Sequence, residues 1–370
     1  MEFLINSFTS ITWQQVLMIF VGIFLILLAI IKKTEPALLL PMGFGAILVN
    51  LPFSAVNGEA GIIDWLFKVG IGASEVMPLL LFIGIGAMID FGPLLANPKL
   101  FIFGALAQFG IFATIAIASA SGFDIADSAS IGVLGAADGP TAIFVAAKLH
   151  SKYLGAIMVA AYSYMALVPI IQPSVIRCIT TQKERAIKME YNPKSVSKKA
   201  KIAFPIIVTI VAGLLAPMGV ALVGFLMFGN LIRECGVLDN LSETAQNALA
   251  NLITLLLGIT IASQMKAEQF VTVETIMIMG FGLLAFVFDT MAGVLTAKVF
   301  NLFSKKKINP MIGAAGISAF PMSARVVAKM GTKANPQNYL LMQAVGCNVS
   351  GQIASAIAGG LVLTLVAPMI

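Results

Sequence analysis

Charge is what this sequence has least of. Asp, Glu, Lys and Arg make up 11% of its 370 residues, against roughly 25% in a soluble globular chain. Histidine occurs once, as His150 between Lys148 and Lys152 at the end of an apolar segment, the setting of a surface residue. The three cysteines, Cys178, Cys235 and Cys347, form no CxxC pair. They read as small packing residues rather than as disulfides or metal ligands. No HExxH, GxSxG, Walker loop or zinc spacing is present, so no known motif activates water or supplies an acyl nucleophile. Strict polar–apolar alternation is missing as well, which excludes a membrane β-barrel. The start, MEFLINSFTSITWQQ, has no basic region ahead of its apolar run, so no cleaved signal peptide is expected.

Apolar residues fill the space that charge leaves. They make up 59% of the chain, and the mean hydropathy is +0.98. Apolar runs long enough to cross a bilayer recur along the length. The 33 Gly and 16 Pro fall largely inside those runs, as in transporters with close-packed or broken helices. The expected fold is an all-α polytopic membrane protein. The net charge of +6 fits lysines flanking membrane segments and does not argue for nucleic acid.

Spans are expected at about 14–31, 36–51, 75–95, 100–120, 153–171, 202–228, 246–265, 271–300 and 339–370. Two further segments, 128–148 and 310–330, are apolar but broken by Gly and Pro. If both traverse the membrane, the chain crosses about eleven times. Arg177–Lys201, with eight Lys or Arg, is the one clearly polar stretch. The division expected is an N-terminal transmembrane helix (1–34), a first repeat (35–176), the basic central loop (177–201) and a second repeat (202–370). Pro41-Met42-Gly43 recurs as Pro217-Met218-Gly219, Leu79-Leu80-Leu81 as Leu255-Leu256-Leu257, and Pro140–Lys148 resembles Pro321–Lys329. Five spans per half, an odd number, would invert the second copy, a pattern that places the site near the membrane midplane where the broken segments meet. The basic loop argues for a cytoplasmic face. Six crossings before it would put the N-terminus inside too, but Lys305, Lys306 and Lys307 would then fall outside.

The candidate centre is IGVLGAADGPTAIFVAAK, residues 131–148. Asp138 lies there in apolar sequence, bracketed by Gly135, Gly139 and Pro140, with Ser130 and Thr141 adding hydroxyls. A carboxylate inside a membrane is costly and marks an ion or proton pathway. The plainer reading is an N-cap for the helix that starts at Pro140. Tyr162 and Tyr164 point to different helix faces, so at most one faces Asp138; a phenol there donates, accepts or carries a proton, or simply packs. Arg325 keeps its charge in any environment and needs a carboxylate or anionic ligand within a span, unless it snorkels from a segment end. Asn348 and Ser355 are seven apart and share a helix face. Their oxygens suit a hard monovalent cation, or they form interhelical hydrogen bonds. Asp90 is read as a cap at a segment end, and Asp289 as a structural acid or secondary relay.

GAADGPTAIF (135–144), AYSYMALVPIIQP (161–173), NPMIGAAGISAFPMSARVV (309–327) and NVSGQIASA (348–356) together resemble the β subunit of sodium-pumping biotin-dependent decarboxylases. IDFGPLLANP (89–98) and GNLIRECGV (229–237) fit the same pattern, so the resemblance covers nearly the whole chain. It implies a subunit of a complex that decarboxylates oxaloacetate, methylmalonyl-CoA or glutaconyl-CoA. A soluble carboxyltransferase α subunit loads biotin on a carrier subunit. The β subunit then releases CO2 from carboxybiotin, exports Na+ and consumes a proton. The resemblance also implies small membrane subunits, a bacterial inner-membrane location, surrounding lipid and a homo-oligomer within the complex. By motif it assigns Asp138 as the principal Na+ carboxylate, and Tyr164 and Ser318 to the Na+ and proton pathway. Arg325 falls near carboxybiotin, Asn309 and Gly313 at functional positions, and Asn348 and Ser355 at the Na+ site. Gly346-Cys347-Asn348 stands where relatives often read GPN, with the asparagine kept. The short basic loop leans toward the acyl-CoA decarboxylases. The biotinyl tetrapeptide Ala-Met-Lys-Met is absent, so a partner must carry the biotin. The rival expectation is a Na+-driven secondary transporter of organic anions in which Arg325 holds a substrate carboxylate. A mere membrane anchor would need neither the acids nor the arginine.

Overall fold

The computed structural model describes residues 9–33, 35–58, 60–189 and 195–370. The first eight residues of the start read above, and residues 190–194 of the basic loop, lie outside this set. Every regular element among the described residues is helical. Seven helices are long and apolar enough to cross a bilayer, or eight if the bent pair Ile62–Gly72 and Val76–Met88 counts as one span.

The chain begins with an antiparallel pair, α1 (Trp13–Lys32) and α2 (Pro36–Val49). Thr12 and Gln15 form a capping box that starts α1, and Pro36 fits the first turn of α2, where its missing N–H costs nothing. The two backbones touch: a Cβ on Gly22 would stand 2.6 Å from the Gly43 carbonyl oxygen, and one on Gly43 2.6 Å from that of Gly22. Next come α3 (Val76–Met88) and a broken span made of α4 (Leu100–Leu106) and α5 (Phe109–Ala120). The break leaves N–H groups of α5 without helical partners, and the buried Asp289 carboxylate accepts from one of them, at Gly110.

The first broken segment does not run through the molecule. Its legs, α6 (Ile125–Gly132) and α7 (Gly139–Lys148), form a hairpin. Lys152, just past α7, pairs with Asp124, just before α6, at 3.0 Å, and Ser151 donates to Asp127 at 2.7 Å. The chain then runs through α8 (Leu154–Ile179), 26 residues and about 39 Å long, to the basic loop.

In the second half, the single span expected at 202–228 is two helices, α9 (Lys198–Leu215) and α10 (Val220–Cys235), folded against each other. The turn at Ala216–Gly219 is apolar, so hydropathy runs through it without a dip. The far ends meet again where Lys201 faces Glu234 at 3.6 Å. After α11 (Ala250–Ile261) and the 31-residue α12 (Val273–Phe303), the second broken segment also returns on itself. Its legs are α13 (Met311–Ala314) and α14 (Met322–Ala334). Asn309 before it donates to the carbonyls of Arg185 (2.8 Å) and Ile187 (3.0 Å), and Asn335 after it to that of Ala186 (3.3 Å). Both ends therefore rest on the central loop, and α15 (Leu341–Val366) closes the fold.

The mouths of the two hairpins lie at opposite ends of α8. This arrangement changes the expected distribution of lysines. Lys306 and Lys307 line one cavity with Lys188 and Met189 of the central loop, and Lys298 near the end of α12 pairs with Glu184 of that loop at 3.1 Å. Burial pushes the Glu184 carboxyl up, and hydrogen bonds from Thr181 and Lys298 more than offset it, so it lies below the usual range. The Lys305–Lys307 run thus shares a face with the basic loop, where the count of crossings had placed it opposite.

Candidate functional site

The tips of the two hairpins meet. Between α6 and α7 the backbone unwinds, with Ala137 in the left-handed region (φ 51°), and the Ala136 carbonyl is released from helical bonding. Ser318, in the unwound tip of the second hairpin, donates to that oxygen twice, from its N–H (3.1 Å) and from Oγ (2.7 Å). The other tip is served by side chains. Asn348 Nδ2 donates to the carbonyls of Ala315 (3.1 Å) and Ile317 (2.8 Å), and Gln172 to that of Ala314 (2.8 Å). Non-helical backbone at such depth survives only where its polar groups find partners like these.

Asp138 sits at the N-cap position of α7, 2% exposed. Its Oδ2 accepts three side-chain hydrogen bonds: from Thr141 Oγ1 (2.7 Å), Ser355 Oγ (2.8 Å) and Gln352 Nε2 (3.1 Å). Hydroxyls, an amide and the positive end of a half-helix surround the carboxylate. No Lys or Arg forms an ion pair with it among the described residues. This oxygen-rich set fits a hard monovalent cation, because the hydroxyls can rotate their protons away and turn lone pairs toward a cation bound beside the carboxylate.

The candidate residues separate into groups. Asp138 and Ser355 are in direct contact. Ser318 and Asn348 sit one step back, holding the tips. Tyr164 lies elsewhere, its hydroxyl donating to the Met279 carbonyl on α12. Tyr162 is the tyrosine beside Asp138, 2% exposed, its hydroxyl without a partner among the described residues. Two residues apart on a helix, only one of the pair reaches the cavity. Asn309 is buried at the base of the second hairpin. Its amide nitrogen serves the central loop and its oxygen accepts from Met311 N–H (3.1 Å). Arg325 is exposed on α14, forms no ion pair among the described residues, and its field reaches Glu35. Gly313 packs backbone to backbone with Gly293 of α12, where a Cβ would stand 1.9 Å from a carbonyl oxygen. Thr141 and Gln352 escaped the sequence-level ligand set. Their signal was spacing: Thr141 is three past Asp138, and Gln352 lies between Asn348 and Ser355 on one helix face.

A cavity of about 220 Å³ opens on Asp138 and is lined also by Tyr162, Ser318, Phe320 and Gln352. A larger one, about 470 Å³, lies on the central-loop face among Lys99, Lys188, Lys306 and Lys307.

Comparison with known proteins adds a second line of observation. The family model described as "Na+-transporting oxaloacetate decarboxylase beta subunit" matches residues 14–366. The methylmalonyl-CoA decarboxylase subunit beta of Veillonella parvula is 49% identical, over 97% of this chain and 95% of its own length. The glutaconyl-CoA decarboxylase subunit beta of Acidaminococcus fermentans is 46% identical over 98% and 96%. The probable oxaloacetate decarboxylase beta chain of Vibrio cholerae is 45% identical over 96% of each.

Proposed function

The chain belongs to the β-subunit family of Na+-transporting decarboxylases, and from that premise we propose that it releases CO2 from carboxybiotin and couples the release to Na+ export. The observation that carries this reading is a buried carboxylate held by hydroxyls and an amide with no fixed counter-charge. Such a group needs a cation to be ionised and a proton to be neutral, so one seat exchanges Na+ for H+. In the chemical step the N–CO2 bond of carboxybiotin breaks, CO2 leaves, and the ureido nitrogen takes the proton. Asp138 gives up that proton when Na+ replaces it.

The carboxybiotin arrives on a biotin carrier subunit loaded by a carboxyltransferase α subunit, with small membrane subunits completing the complex. Docking is on the central-loop face, where Lys99, Lys188, Lys306 and Lys307 line one cavity and Arg177, Arg185 and Lys333 another. That face is cytoplasmic by its positive charge, and the membrane is the bacterial inner membrane. Arg325 is the side chain we assign to the carboxylate of carboxybiotin, since its guanidinium is permanently charged and forms no ion pair among the described residues.

We also read the fold as two inverted repeats. In each half an antiparallel pair, a third pass, a fourth pass, a hairpin and a long final helix follow in order. α1 then corresponds to α9 and belongs inside the first repeat, giving ten passes and two re-entrant hairpins. The test is reconstitution of the complete complex in proteoliposomes. Asp138→Asn should abolish Na+ transport and Na+-dependent decarboxylation while the protein still elutes as folded in detergent. Normal pumping by that variant, or Na+-driven uptake of a dicarboxylate by this chain alone, would overturn the reading.

A further inference from the structure

The cavity at Asp138 has a second wall. Glu35, Asn251 and Thr254 line the same cavity of about 220 Å³ as Asp138 and Tyr162. The volume holds about seven waters at roughly 30 Å³ each. Asn251 belongs to a stretch apolar enough to cross the membrane, Asp239–Gln264, yet it is exposed and its amide makes no hydrogen bond among the described residues. Thr254, three residues on and on the same helix face, donates to the Ala250 carbonyl (2.7 Å), which leaves its lone pairs free. Across the gap, the buried Tyr162 hydroxyl also has no partner among the described residues. Polar groups left bare at this depth are costly unless something satisfies them.

The sign of the cavity says what that something is. Among the described residues its lining carries two carboxyl groups, Glu35 and Asp138, and no Lys or Arg. Burial outweighs the field of Arg325 and holds the Glu35 carboxyl above its usual range, so a cation beside it is what favours its charged form. The large cavity on the central-loop face has the opposite sign, with four lysines. The cavity at Asp138 therefore favours cations, with Arg325 outside its lining. Position gives the direction. Glu35 lies at the turn between α1 and α2, and Met88, which also lines the cavity, ends α3. Two residues later Asp90 meets Lys201 at 3.3 Å on the central-loop face. The cavity is thus on the central-loop side of Asp138.

We propose that Glu35, Asn251 and Thr254 form an inner vestibule that draws a partly hydrated alkali cation from the central-loop face and passes it to Asp138, Glu35 being the first carboxylate it meets. This rests on the reading of Asp138 as the Na+ seat. The test uses the complete complex in proteoliposomes, with 22Na+ transport and CO2 release followed against internal-face Na+. Glu35→Gln should raise the half-saturating Na+ about tenfold, the scale of electrostatic focusing in a charged cleft, with the rate at saturating Na+ falling far less. Added choline chloride should shrink the difference from the parent protein by screening, which a purely structural lesion would not show. Glu35→Asp should restore most of the affinity, and Asn251→Leu should raise the half-saturating Na+ without that salt dependence. An unchanged half-saturating Na+ in Glu35→Gln and Asn251→Leu would overturn the vestibule, as would a loss of maximal rate alone. If Glu35→Gln does not elute as folded protein, Asn251→Leu decides by the same measurement. Asp138→Asn in parallel separates the two readings: it fails at every Na+ concentration if the seat is right, whatever the vestibule variants do.

Discussion

Asp138 works through neighbours that are individually modest. Ser355, Thr141 and Gln352 all donate to one oxygen of its carboxylate, leaving the other out of that set. A hydrogen bond to a charged group is worth about 1.5–3 kcal/mol, so if Asp138 is the proposed seat, removing one shifts its balance between Na+ and H+. Ser355→Ala should raise the Na+ needed for half-maximal decarboxylation by about tenfold, read from a Na+ titration of the reconstituted complex. Arg325 makes a different prediction. Arg325→Lys keeps the charge and loses the planar fork that matches a carboxylate. It should weaken the use of free carboxybiotin more than it weakens Na+ dependence, each titrated separately. A raised Na+ requirement with carboxybiotin dependence unchanged would reassign Arg325 to the ion site.

At the scale of elements, the two hairpins depend on each other through Ser318 and the Ala136 carbonyl. Ser318→Ala keeps the N–H bond and loses the hydroxyl bond, at a cost of about 1 kcal/mol. The tips should then part more readily, and Na+ exported per CO2 released should drop while CO2 release continues. The ratio of 22Na+ to CO2 in proteoliposomes checks this. The existence of these broken segments was legible in the sequence, because Gly135, Gly139, Pro140, Pro310 and Pro321 interrupt apolar runs that also hold Asp138 and Arg325. Their return was not. A segment that crosses and one that doubles back have the same hydropathy, and what closes each hairpin is distant in sequence: Lys152 to Asp124 in one, Asn309 and Asn335 to the central loop in the other. The Ala216–Gly219 turn was hidden for a related reason, since a turn inside an apolar run carries no polar marker. The choice between Tyr162 and Tyr164 needed the rotation of α8, which the pattern of its residues leaves open.

Across the whole molecule, lysines cluster most densely on the central-loop face. Lys99, Lys188, Lys306 and Lys307 share a cavity, while Lys152 pairs with Asp124 at the mouth of the first hairpin, at the other end of α8. On a background with Cys178 and Cys235 replaced, a cysteine at position 306 should react with a membrane-impermeant maleimide only from the cytoplasmic side, and one at position 152 only from the outside. Labelling of both from one side would refute the ten-pass topology. The two sides of Asp138 also differ electrically. On one side lies the cavity that holds Glu35, Asn251 and Thr254; on the other, residues 127–147 of the first hairpin are buried without interruption. A membrane potential falls mainly across the poorly polarisable side, so with water in the vestibule proposed above the solid hairpin carries most of the drop. Moving one elementary charge through the full potential takes about 2.3 kcal/mol per 100 mV. That work belongs to the outward step. An inside-negative voltage should therefore slow Na+ release to the exterior and leave the half-saturating internal Na+ unmoved, as seen by clamping proteoliposomes with K+ and valinomycin. A cation that loads freely at any voltage and leaves only against one is a battery's charging stroke confined to a single protein layer.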